Sequence, residues 1–205
     1  MRTWVAALGT LLVAFGAIVA GCSGGRRAVA AAVSAAAAQP PSVRCGEAAV
    51  VGPSLRLVRA RLLSLPGTPD GVATTPDGRT SFVAIQSGVP RIAVIDTSTD
   101  TVAKWVPLDG LGYGSTPTPD GRWLLMTVPS ANKISVVDLK TMQVVQSVET
   151  PPDPEEVIVQ PGGKTAWVSC PNSAQVAEID LASWKVTRKI VTGKSSDGLA
   201  WAKAR

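Results

Sequence analysis

The chain has 205 residues, 45% of them hydrophobic and 17% charged, and a formal net charge of +5. That length holds one folded domain with a sizeable core plus a targeting segment, not two ordinary domains. The mild basicity, with no basic stripe interleaved with aromatics, argues against nucleic acid as a partner, and the absence of histidine excludes His-based metal sites, Ser-His-Asp triads and c-type haem attachment.

The N-terminus reads as an address. A short basic start with Arg2 leads into an uncharged apolar run from Trp4 to Ala20, marginal in length for a membrane span and typical of a signal h-region. The segment Val19-Ala20-Gly21-Cys22 resembles the lipobox of bacterial lipoprotein signal peptides. That resemblance implies a signal peptide over 1–21 and diacylglyceryl transfer to the Cys22 thiol. The acyl chains, palmitate among them, would then hold the protein at a membrane through about 0.8 kcal/mol per buried methylene. The alternative is an ordinary secretory signal cleaved among the Ala-x-Ala patterns between Ala30 and Ala38. Either reading exports the protein to the periplasmic or extracellular face. Ser23, after the lipid cysteine, carries no acidic cue for inner-membrane retention, so the address is the cell membrane, or the outer membrane where the cell has one. Residues 22–43, rich in Gly, Ala and Pro without an amphipathic face, read as a flexible tether, which leaves 44–205 as the folded domain.

Within that domain the sequence repeats. Asp96, Asp138 and Asp180 close Ile-Asp or Val-Asp pairs at intervals of 42 residues, and Pro76-Asp77-Gly78 recurs as Pro119-Asp120-Gly121 and Pro161-Gly162-Gly163. The spacing of 43 in the first copy places one extra residue in the loop 86–91, where an insertion costs least. Each copy predicts four short strands. The first covers 71–75, 115–118 and 156–160, and ends where Asp-Gly or Gly-Gly supplies the positive φ of a tight hairpin. The second covers 81–86, 124–128 and 166–170, and the third ends on the repeated aspartate, whose side chain caps the next turn. The fourth begins at Val102, Val144 or Val186 and is more polar, as suits an exposed rim.

The third strands at 92–95 and 134–137 are apolar on both faces, so stacked neighbours must cover them. Four strands per 42-residue unit is the signature of an all-β fold, a β-propeller of four-stranded antiparallel blades. From Leu55 to Trp201 the pattern of Pro-Asp-Gly, alternating aliphatics and terminal Ile/Val-Asp resembles the YVTN-type β-propeller repeats of bacterial envelope proteins. The resemblance implies the fold and leaves function open, because propellers host many activities.

Three complete copies are fewer than the four to eight blades that usually close a ring. The motif at Ser196-Asp197-Gly198 suggests that 198–201 is the innermost strand of a fourth, composite blade completed by 47–52 and 54–65. The domain is therefore expected as a small ring, an open arc or an assembly of two chains. An open arc whose blades are apolar on both faces would expose a sheet face at each end.

The loops leading into the innermost strands carry Asp70, Tyr113, Glu155 and Asp197 at equivalent positions, with Glu156 adjacent. In a propeller such loops gather at one end of the axis, so these residues are the candidate ligand-binding set, against the plainer reading that they serve their turns. No cofactor is expected; a hard cation such as calcium, held by oxygen ligands, is the one alternative that the residue types admit. Once Cys22 is lipidated, Cys45 and Cys170 remain as a candidate disulfide in an oxidising compartment, although Cys170 aligns with Ile85 and Val128 and fits equally as a small buried hydrophobe. The tryptophans of the repeats read as packing. The functional expectation is a non-enzymatic, lipid-anchored binding scaffold at the cell envelope, whose partners are the membrane and an unidentified envelope protein or peptide, with a homodimer as one way to close the ring. The alternatives are a propeller enzyme of lactonase or quinoprotein-dehydrogenase type and a truncated, non-functional paralogue.

Because only a thiol accepts the diacylglyceryl group, Cys22→Ala should leave an unprocessed or soluble precursor in cell fractionation. A variant that still partitions with membranes at the mature size would refute the lipoprotein reading.

Overall fold

The computed structural model describes residues 60–202, together with the backbone of two short strands at 17–19 and 47–51. These two, β1 (Ala17–Val19) and β2 (Glu47–Val51), join β3 (Ala60–Ser64) in an antiparallel sheet ordered β1-β2-β3. β1 falls inside the segment expected to be a signal peptide, so a chain cut before Cys22 would keep only the β2-β3 hairpin of that sheet.

Three four-stranded antiparallel blades follow. Blade 1 is β4 (Pro69–Thr74), β5 (Thr80–Ile85), β6 (Arg91–Asp96) and β7 (Thr101–Pro107). Blade 2 is β8 (Ser115–Pro117), β9 (Trp123–Val128), β10 (Lys133–Asp138) and β11 (Gln143–Glu149). Blade 3 is β12 (Val157–Val159), β13 (Thr165–Cys170), β14 (Gln175–Asp180) and β15 (Lys185–Val191).

Local chemistry sets the turns. Gly78, Gly121 and Gly163 take φ of 72°, 68° and 68° in the first hairpin of each blade, a region that costs glycine nothing. Thr75 and Thr118 donate through Oγ1 to Asp77 and Asp120, fixing the same turn in blades 1 and 2. At the far end of each blade Asp96 accepts from the amides of Ser98 and Thr99, Asp138 from those of Lys140 and Thr141, and Asp180 from that of Ser183. The turn finishes on a left-handed residue, Asp100, Met142 or Trp184, and a bulge at the same repeat position shifts the outer pair of strands. The inserted residue of the first copy lies between β5 and β6, where blades 2 and 3 instead have 3-10 turns at Pro129–Ala131 and Pro171–Ser173.

Alternation sends the two faces of each blade into two different cores. Phe82, Ala84, Ile92 and Val94 of blade 1 meet Leu124, Met126 and Val137 of blade 2. Leu125, Ile134 and Val136 of blade 2 meet Val157, Val168, Ala177 and Ile179 of blade 3. On its other face blade 1 packs Val83, Ile85, Ala93 and Ile95 against Leu65 and Leu63, beside the β1-β2-β3 sheet. The innermost strands lie in the order β1, β4, β8, β12, so the sheets stack as an arc.

The closing blade expected from both ends is not formed. Residues 198–201 form no strand, and 47–51 and 60–64 pair with each other and with β1 instead. The inner junctions give a reason. A Cβ on Gly71 would sit 2.0 Å from the Tyr113 carbonyl oxygen, and one on Gly114 would sit 2.3 Å from that of Glu155, so each blade's innermost strand approaches the next loop where there is no side chain. The third residue in this series is Glu156, so the third junction lacks the glycine of the first two.

Gly114→Ala should therefore wedge blades 2 and 3 apart at the axis, where the Gly114 amide and Thr127 Oγ1 both donate to the Glu155 carbonyl. We expect a loss of about 1–3 kcal/mol in denaturant unfolding, as for an overpacked core; unchanged stability would show that the junction yields.

Candidate functional site

The axial site is built from backbone outward. In blade 2 the Tyr113 amide donates to the Thr127 carbonyl, and in blade 3 the Glu155 amide donates to that of Ser169, so both loops are held by the second strand of their own blade. Ser169 Oγ takes the Glu156 amide as Thr127 Oγ1 takes that of Gly114. The C-terminal segment follows the same path for a short distance. Ser195 is left-handed with φ of 59°, as Asp153 is at 61° one repeat earlier, and Thr192 Oγ1 bonds Ser196 Oγ at 2.8 Å. Asp197 thus arrives at the axial end although no strand follows it.

The structure brings together all four residues expected at this end, with Glu156 as a fifth. Asp70 and Asp197 lie within electrostatic reach of each other although their loops are separated by three blades. Burial, then the Asp197 charge, pushes the Asp70 carboxyl up. Glu155 is raised by burial, by Asp197 and Asp153, and by a hydrogen bond with the Asp197 carboxyl. Glu156 is raised by burial and then by Asp197 and Asp70, against one lowering hydrogen bond from the backbone. The Tyr113 hydroxyl is raised by burial and by the same acids. Among the described residues no Lys or Arg contributes to these shifts, so the cluster is a focus of negative charge without an internal counter-ion.

Among the described residues no group of three or more Asp, Glu or Cys is arranged to hold a metal ion. The acids would have to move to coordinate calcium. A cleft of about 350 Å³ between the hairpins of blades 1 and 2 is lined by Asp77, Asp120 and Met142, but both carboxylates are occupied by the threonine and backbone donors of their own turns, which hold them below the usual range. Asp96, Asp138 and Asp180 are likewise lowered by the turn groups they cap.

Among the described residues Cys170 has no disulfide partner; it is buried in the core between blades 2 and 3, and burial pushes its thiol up to about 11. It occupies the repeat position of the buried Ile85 and Val128. Its expected partner Cys45 and the lipidation residue Cys22 lie outside the described residues, and the structure does not show a bond at Cys170. The tryptophans pack as expected: Trp123 meets Trp184 edge-on at 5.9 Å, and Arg91, Arg122 and Arg188 cover Trp105, Trp123 and Trp167. Sequence reasoning missed the axial glycines, although Gly71 and Gly114 recur at the repeat interval. It also missed that Trp201 leaves the expected inner strand to meet Trp167 edge-on at 6.3 Å.

Comparison with known proteins agrees with this geometry. Residues 113–204 match the family described as YNCE-like beta-propeller. No curated protein matches the chain. Among the solved structures that it resembles is Kuenenia stuttgartiensis Hydrazine Synthase, at 30% identity and a TM-score of 0.60 over 64% of this chain and 38% of that one. The chain therefore spans well under half the length of that relative. With a 42-residue repeat and three blades of four antiparallel strands, this chain is a β-propeller protein whose residues 113–204, from the second blade to the C-terminal segment, match the YNCE-like family.

Proposed function

We propose that the chain is an exported, lipid-anchored β-propeller that serves as a binding scaffold at the cell envelope, and that it engages a cationic partner, a basic peptide segment, through the acidic axial end. The observation that carries this reading is the convergence of Asp70, Glu155, Glu156 and Asp197 around Tyr113. Uncompensated carboxylates at the mouth of an axis attract positive charge. Lys or Arg side chains entering there would replace repulsion by charge-assisted hydrogen bonds. Export and anchoring rest on the apolar run before Val19-Ala20-Gly21-Cys22. No helix among the described residues is long and apolar enough to cross a membrane. The relative's name belongs to an enzyme, but the match spans 38% of that chain, so we do not carry catalysis over.

A fluorescent Lys/Arg-rich peptide tests the reading by anisotropy. The full-length chain should bind it, added salt should weaken the binding, and Asp70→Asn with Glu155→Gln should weaken it at least about tenfold, or about 1.4 kcal/mol. Equal binding by the double variant would refute the axial site.

The same charges set a pH dependence. Asp70, Glu155 and Glu156 are raised in the folded chain, so their contribution to stability is present at low pH and lost as pH rises through the carboxylate range towards those raised values. Glu156→Gln should therefore raise the unfolding free energy at neutral pH, by less than about 1 kcal/mol after solvent screening, seen as a higher melting temperature, and give no gain near pH ~4, where glutamates are largely protonated. A gain independent of pH would point to packing instead of charge.

A further inference from the structure

The covered face of each blade can be followed position by position, because the repeat and the strand register align the same three residues across the second, third and fourth strands. In blade 1 this row is Phe82, Val94 and Lys104, and in blade 2 it is Leu125, Val136 and Gln146. In both, the inner two residues are aliphatic or aromatic and buried beneath the following blade. Lys104 bridges the same junction, its ammonium donating to the Thr141 carbonyl of blade 2.

In blade 3 the row is Trp167, Glu178 and Arg188. Glu178 and Arg188 form an ion pair at 2.9 Å, and the Arg188 guanidinium lies 5.0 Å from the Trp167 ring centroid. Trp201, from the C-terminal segment, meets the same ring. The next row keeps its aliphatic residue: Val106 and Val148 are 1% and 3% exposed beneath the following blade, and their equivalent Ile190, with no blade over it, is 38% exposed. At the axis Glu156 replaces the glycine that admits a following blade at the two earlier junctions. Two separate parts of one junction, inner edge and middle strand, thus depart from the stacking pattern in the same direction.

We propose that the outer face of blade 3 is a built-in stop, in which the Glu178–Arg188 pair and the Trp167–Trp201 contact cap the stack and prevent a further blade, or a second copy of the chain, from docking there. A blade placed on this face would bury Glu178 as Val94 and Val136 are buried, while Arg188, whose equivalents Lys104 and Gln146 stay exposed, remained in water; a carboxylate buried in that way is costly, and the blade would also have to displace Trp201. Repeat arrays need such terminal units with a polar outer face to stay soluble, and a charge directed into a would-be sheet contact is a known guard against association. The stop goes beyond the axial binding proposed above and does not depend on it. It also explains why an arc of blades that are apolar on both faces need not pair at this end.

Sedimentation equilibrium of the full-length chain in density-matched detergent tests the stop. Glu178→Val with Arg188→Gln gives the outer two positions of the row the residues they have in blade 2, and Glu156→Gly reopens the axis. The triple variant should at least double in mass over the micromolar range relative to the parent, whereas Glu178→Gln alone should keep the parent mass. A triple variant of parent mass and parent circular dichroism would overturn the proposal. So would a parent that self-associates and loses that association on Trp167→Ser, because the face would then be a contact. The reciprocal change gives a readout that does not need a soluble oligomer: Val136→Glu with Gln146→Arg should release blade 3, seen as faster hydrogen exchange over 157–191 with blade 1 still protected. Unchanged protection there would also overturn it.

Discussion

Burial of the middle strands on both faces is the constraint from which the rest of the structure follows. Val83, Ala93 and Ile95 face one way in blade 1 while Phe82, Ile92 and Val94 face the other, so no blade can hide its apolar surface alone. At about 25 cal/mol per Å² of apolar surface, only another sheet supplies enough cover, and the stack forms because each blade's two problems are solved by two neighbours. Packing is matched at the level of single rows. The row facing the preceding sheet is Val72-Val83-Ala93 in blade 1 and Val157-Val168-Ala177 in blade 3, but Ser115-Met126-Ser135 in blade 2, where a longer central residue is flanked by smaller ones. The volume is kept near constant, at the expense of two serine hydroxyls buried without a partner.

Stacking at this distance brings the inner strands so close that side chains must vanish where loops cross. Gly71 and Gly114 meet that requirement, and their closeness is what draws the leading loops together. The acidic cluster is thus a by-product of close packing as much as of its own residues: the loops converge because the blades do, and the carboxylates they carry are then forced into mutual repulsion and partial burial. Under the proposed reading, an incoming cation would relieve the repulsion that raises these carboxyls. The same logic runs in reverse at the outer face of blade 3, where Glu178 takes the middle position that Val94 and Val136 hold in the earlier blades and pairs with Arg188.

Much of this was legible in the sequence because much of it is local. The turns at Gly78, Gly121 and Gly163, the caps on Asp96, Asp138 and Asp180, and the strand bounds to within a residue or two follow from residues a few positions apart, and their recurrence every 42 residues marked the blade. The equivalence of Asp70, Tyr113, Glu155 and Asp197 followed from the same count. By itself, then, the sequence determined the unit, its four strands, its turns and the set of residues that share one end.

Tertiary structure decided how the units end. The motif at Ser196-Asp197-Gly198 has the local chemistry of another inner strand, yet 198–201 forms none; at this junction Glu156 and Glu178 stand where the earlier ones carry glycine and valine. Likewise the coupling of Asp197 to Asp70 depends on the curvature accumulated over three blades, and the meeting of Trp201 with Trp167 on a chain reversal. Neither is written in any short stretch of residues: a repeat fixes what each blade is, but the distance between its first and last members is set only when all the faces have packed.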